Sequence, residues 1–121
     1  MARWPDWLEP LYRSADALDA AGFARGFAPE GRLTFGNGEP AIGPGAIEAG
    51  LNELFAAIAA MSHRLVRVWE SGDETMFESA VTYGRLDGTT IVIPAASAYT
   101  RTGGLVTSAR VYCDMSPVFS P

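Results

Sequence analysis

Few side chains of this protein are suited to chemistry, and the densest group of them lies in the segment 105–117, LVTSARVYCDMSP. Side chains alternate with period two along a strand, so Val106, Ser108, Arg110, Tyr112 and Asp114 fall on one face. Leu105, Thr107, Ala109, Val111, Cys113 and Met115 fall on the other. A carboxylate beside a phenol and a guanidinium can move protons or hold a water molecule, which makes Asp114 the first catalytic candidate. Asn37 is the second, because its amide can orient water or a carbonyl; its Gly36-Asn37-Gly38 setting is equally a turn that favours Asn for its backbone. The only histidine, His63, has no His or Cys companion at ligand spacing, so no metal is expected, and a lone His is more often structural than a base. Cys113 opposes Asp114 and reads as a small buried apolar residue rather than a nucleophile. No nucleotide motif is present and no cofactor is expected.

The elements that must position these groups follow from apolar periodicity. Asp6 and Glu9 read as a capping box before Leu8, Leu11, Tyr12, Ala15 and Leu18, with Glu9, Arg13 and Asp16 facing out, which predicts a helix over 7–20. Gly22 is expected to end it, and Phe23 with Phe27 suggests a short second helix stopping at Pro29. Residues 31–35 are expected to be extended, to turn at 36–38 and to return over 41–43. Pro44 and Gly45 introduce a third helix with Ile47, Leu51, Leu54, Phe55 and Ile58 as its apolar stripe. Strands are expected at 63–70, 75–86, 90–101 and 105–115, joined by short Gly- and Asp-containing turns into an antiparallel meander.

With 121 residues, one domain over 1–121 is expected, large enough to bury a core. A 48% hydrophobic and 19% charged composition excludes disorder. The net charge of −5 is spread along the chain, and no Lys/Arg run suits nucleic acid or an anionic membrane. One cysteine forms no internal disulfide, the first residues lack the apolar run of a signal peptide, and no stretch reaches membrane-span length, so a cytoplasmic location is expected.

Several short stretches taken in order resemble the SnoaL-like branch of the nuclear transport factor 2 superfamily. They are Leu33 to Pro40 (LTFGNGEP), Gly43, Ala46-Ile47, His63, Val68-Trp69-Glu70, Tyr83, Asp87-Gly88, Ile93-Pro94 and the segment from Arg110 to Pro117. The resemblance implies an α+β cone: three N-terminal helices packed on a curved, mostly antiparallel sheet around a pocket. It places the Asp114 face inside that cone, with substrate-binding positions at Tyr12, Phe27, Phe35, His63, Trp69, Phe77, Ser79, Val81, Ala96, Arg110 and Tyr112. The opposite row, Thr107, Ala109, Val111, Cys113 and Met115, then forms the outer face and is expected to make a homodimer.

This scaffold hosts several chemistries, so the site must decide among them. At the places where ketosteroid isomerases hold their tyrosine, base and protonated Asp, this chain has Ser14, Phe35 and Ala96, which excludes that reaction. Compared with limonene epoxide hydrolase, Asn37 and Asp114 match, but Phe35 replaces the Tyr, and Ser79 and Val81 stand where an Arg and a second Asp open the epoxide. SnoaL-type cyclases need a proton-moving carboxylate and an apolar pocket. The resemblance therefore implies a pocket protein for a small hydrophobic molecule, with proton-transfer chemistry at Asp114 on an apolar, oxygen-bearing substrate. Its alternative is a binding protein that keeps the pocket without the chemistry.

Overall fold

The computed structural model describes residues 2–120. Helix α1, Glu9–Asp16, begins with Pro10 in its first turn, where a missing N–H costs no hydrogen bond, and Glu9 pairs with Arg13 one turn on. It is shorter than expected at both ends. The residue before it is Leu8, with no side-chain cap, so Asp6 and Glu9 form no capping box. Its end is set at Leu18, which takes a left-handed φ of 55°, and by Asp19, whose carboxylate accepts from the Gly22 N–H at 3.0 Å to cap a new helix α2, Ala20–Ala24. Gly22 thus lies within α2 rather than ending α1, and Phe27, expected on a helix, opens the first strand. Asp16, the last residue of α1, lies one turn beyond the buried Tyr12 at the flank of the apolar stripe, and its carboxylate reaches the sheet instead of facing out as expected.

Strand β1, Phe27–Phe35, pairs with the two-residue β2, Ala41–Ile42, across the Gly36-Asn37-Gly38 turn, in which Gly36 has φ 51°. Helix α3, Pro44–Ala56, lays Ile47, Leu51 and Phe55 on the sheet as its stripe predicts. Strands β3, Ala60–Ser71, β4, Glu74–Gly84, β5, Thr90–Thr102, and β6, Leu105–Tyr112, form the meander, and a short helix α4, Ser116–Phe119, follows. The sheet order is β2-β1-β6-β5-β4-β3; only the β1–β6 pair is parallel. This α+β arrangement of helices on one face of a six-stranded sheet agrees with the expected cone.

Two bulges decide which side chains face the helices. In β3, Leu65 pairs with Ser79 and Arg67 with Glu78, leaving Val66 as the extra residue. In β6, Val106 pairs with Arg101 and Ser108 with Thr100, leaving Thr107 extra. Beyond that bulge Ala109, Val111 and Cys113 point to the helices, and Ser108, Arg110 and Tyr112 point outward. The faces of β6 are therefore the reverse of those expected. The physical reason is ordinary burial: the row 109, 111, 113 carries no charge and joins the core, whereas a guanidinium and a phenol stay at the water-facing side. The core itself runs from Leu8, Tyr12 and Phe23 through Ile47 to Phe77, Tyr99 and Val106, all at least nine-tenths buried.

Candidate functional site

Between the helices and the inner sheet face lies an apolar cavity. Tyr12 and Ala15 of α1, Phe23 of α2, Leu51, Leu54 and Phe55 of α3, and Leu33 and Phe35 of β1 form its helix-side and end walls. Its sheet wall consists of Met61, His63, Ser79, Val81, Tyr83, Ile93, Ala95, Ser97, Val111 and Cys113, every second residue of each strand. The cavity is narrow: the centre of a water-sized sphere can move through about 40 Å³ of it. Polar groups are few and converge from one side, as in sites that orient a largely apolar ligand.

His63 is the centre of that polar side. Its Nδ1 lies 2.7 Å from Asp16 Oδ1, and its backbone N–H donates to Asp16 Oδ2 at 3.2 Å. A carboxylate held by two bonds fixes the ring and makes Nδ1 the protonated nitrogen. Nε2 is then the free basic atom, and it has no hydrogen-bond partner among the described residues. The His63 side chain is 10% exposed and that of Asp16 32%, so the pair spans from the cavity toward solvent. A cleft lined by Glu9, Arg13 and Asp16 opens on that outer side.

The Tyr12 ring meets the imidazole edge to face at 4.7 Å, and its hydroxyl lies 2.6 Å from that of Tyr99. Burial pushes both phenols far above the usual range; for Tyr12 hydrogen bonds with Tyr99 and Ser97 only partly offset this. Both stay neutral donors at ordinary pH. Tyr83, on the sheet wall, is raised for the same reason, desolvation. Cys113 is raised chiefly by burial and secondly by the Asp114 charge, so it stays a thiol and lines the cavity as an apolar surface.

Of the sequence-predicted positions, Tyr12, Phe35, His63, Ser79 and Val81 line the cavity. Phe27 and Phe77 are buried in the core without lining it, because aromatic rings of this size pack among α1, α2 and Tyr99 instead. Trp69, Ala96, Arg110 and Tyr112 are on the outer sheet face, placed there by the bulges and pairings described above. Asn37 is exposed at the tip of its turn and does not line the cavity, and the left-handed backbone of that turn belongs to Gly36 rather than to Asn37. Asp114 is exposed and outside the cavity. It follows the end of β6 and accepts hydrogen bonds from Ser116 Oγ at 2.7 Å and Ser116 N at 3.0 Å, starting α4; these bonds hold its carboxyl below the usual range. The residue missed from sequence is Asp16. It is 47 positions from its partner, and the packing of α1 across β3 brings the two together.

Among the described residues no cluster of His, Cys, Asp and Glu is suited to a metal, and no helix is long and apolar enough to cross a membrane.

Comparison with solved structures gives the same fold. A protein with a ketosteroid isomerase-like fold from Catenulispora acidiphila, in complex with trimethylamine, superposes with a TM-score of 0.87 at 18% identity, covering 96% of this chain and 91% of that one. TerC co-crystallised with polyporic acid gives 0.82 at 18% identity, covering 94% and 93%. A candidate SnoaL-like polyketide cyclase from a Jannaschia species gives 0.77 at 20% identity, covering 98% and 94%. No curated protein matches the sequence. The model of the SnoaL-like domain family matches residues 8–109, the span holding α1 to most of β6 and every wall of the cavity except Val111 and Cys113, and so this chain belongs to the SnoaL-like domain family of the nuclear transport factor 2-like fold.

Proposed function

We propose that this protein binds a small, flat, largely apolar molecule bearing a carbonyl or hydroxyl group and transfers a proton on it, with His63 as the base. The supporting observation is the Asp16–His63 pair at the wall of an otherwise apolar cavity. In this reading Nε2 removes a proton from a carbon next to a ligand carbonyl. The electron pair passes to the carbonyl oxygen, and the imidazolium is stabilised by Asp16. Ser79, Ser97 and Tyr12 are the buried hydroxyls that can donate to the resulting enolate. The proton then returns to carbon, as exchange or isomerisation requires; in a ring closure the enolate carbon instead attacks a second carbonyl of the ligand, the new C–C bond forms, and the imidazolium gives its proton to the alkoxide produced. The match to TerC co-crystallised with polyporic acid is compatible with a small organic ligand on this scaffold.

Solvent-deuterium uptake at the α-carbon of 2-tetralone, followed by NMR, tests the chemistry. The protein should accelerate uptake, and His63→Gln should lose on the order of 10²-fold. Asp16→Asn, which keeps the shape and loses the charge, should fall between the two. Uptake that persists in folded His63→Gln would refute the assignment. Ligand retention without any exchange by the parent would favour a binding role instead.

We also propose that two copies associate through the outer sheet face. Support comes from Trp69, Met76, Val92 and Tyr112, all about half exposed or more, on one face with Ala96 and Ala98. A monomer in sedimentation at micromolar concentration would dispose of this arrangement.

A further inference from the structure

A second apolar depression adjoins the cavity. It runs between α3, the β1–β2 hairpin and α4, and Leu33, Phe35, Leu51 and Leu54 line both it and the cavity. The groove adds Ile47 and Gly50 from α3 and Met115 and Phe119 from the C-terminal segment; Glu39, at its edge, is the one charged residue lining it. Measured alike, it offers about 310 Å³ against about 40 Å³ for the cavity. Its far wall is anchored. Arg85 donates from Nε to Val118 O at 3.1 Å and from NH2 to Pro117 O at 2.7 Å, and Val118 is buried.

We infer that the ligand is two-part: an oxygen-bearing ring in the cavity beside His63, and an alkyl-type tail leaving past Phe35 and Leu54 to lie in this groove. The inference rests on the cavity being the ligand site and extends it to the class of ligand. Three observations carry it. The cavity alone admits little beyond a ring, and the four residues that stand between the two spaces and line both are apolar, so a chain passing between their side chains meets no polar group. Phe35 and Phe119 stand 37% and 56% exposed at the groove, and a tail would cover both. Finally, no Arg lines the groove, so an anionic tail finds no counter-charge there, and Glu39 would repel it.

The experiment is a calorimetric binding series of 4-alkylphenols from methyl to hexyl with the whole chain. Affinity should rise about threefold per methylene, somewhat less than full burial of each group would give because one side of the groove is open. Gly50→Glu puts a carboxylate into the groove from a position where an added Cβ meets nothing within 4 Å. In that variant, checked for an unchanged circular dichroism spectrum, the slope against tail length should flatten. Binding of every phenol with an affinity independent of tail length would overturn the groove while leaving the His63 reading to the deuterium assay. A slope that survives in folded Gly50→Glu would also overturn it, by placing the tail elsewhere, and failure of every phenol to bind would overturn the ring position together with the tail.

Discussion

Raising the pH from 9 to 11 should destabilise this protein through its tyrosines. Burial raises the phenols of Tyr12, Tyr83 and Tyr99 well above the usual value, so the native state keeps three protons that the unfolded chain releases near pH 10. The unfolded state then binds fewer protons than the native one, and stability falls as pH rises. It is fully present below pH ~10. At pH 11 an unfolded tyrosine is about ten parts ionised to one part neutral, which costs the native state about 1.4 kcal/mol per buried phenol, or roughly 4 kcal/mol for three. That is a large share of the 5–15 kcal/mol typical of a domain. The measurement is unusually clean because all nine cationic side chains are Arg and none is Lys, leaving few other groups to titrate in this window. Cys113, raised in the same direction, adds a smaller loss that begins at lower pH. Urea midpoints at pH 9, 10 and 11, read by tryptophan fluorescence, give the slope, and tyrosinate absorbance gives the ionisation. Tyr99→Phe should remove about a third of the slope. Full tyrosinate absorbance near pH 10 in a protein that remains folded would refute the reasoning.

Asp114→Asn should leave deuterium exchange as in the parent while loosening the start of α4, visible as faster proteolysis near residue 116, since its hydrogen bonds are with Ser116 alone. Gly31→Ala should destabilise the fold by about 1–3 kcal/mol in urea titration, because the new methyl would lie 2.6 Å from the Val106 carbonyl oxygen and 3.0 Å from that of Ala28, neither free to move. Cys113 should react with a disulfide reagent far more slowly in the folded protein than in urea at pH 8, and a ligand occupying the cavity should slow it further.

The elements were legible because each has a local cause. The α3 stripe Ile47, Leu51, Phe55, the Gly-Asn-Gly turn and the four long strands all stand within a few residues of their expected places. The break at Leu18 was not, because the continuing apolar rhythm of α1 masks the competing cap at Asp19. The cavity lining was half legible. Tyr12, Phe35, His63, Ser79 and Val81 line the cavity as expected, whereas Asp114 lies outside it and the carboxylate beside His63 is Asp16. The uncharged row 109, 111, 113 marks the inner face of β6 by its own composition, whereas only the family resemblance puts Asp114 there. Nothing in one sequence couples residues 16 and 63; their pairing exists only once α1 is laid across β3.

The bulge at Thr107 carries a consequence for how this protein tolerates change in length. Deleting Thr107 would let β6 and β5 pair continuously with both flanking registers kept, Val106 opposite Arg101 and Ser108 opposite Thr100. Val106 would still face the core and Ala109, Val111 and Cys113 the helices, because Val106 and Ser108 already point to opposite faces. A residue lost further along, at Arg110, has no such spare position and would turn Ala109 or Val111 outward. A single codon lost at the bulge is therefore a mild change, whereas one lost a few positions later breaks the inner face of the strand.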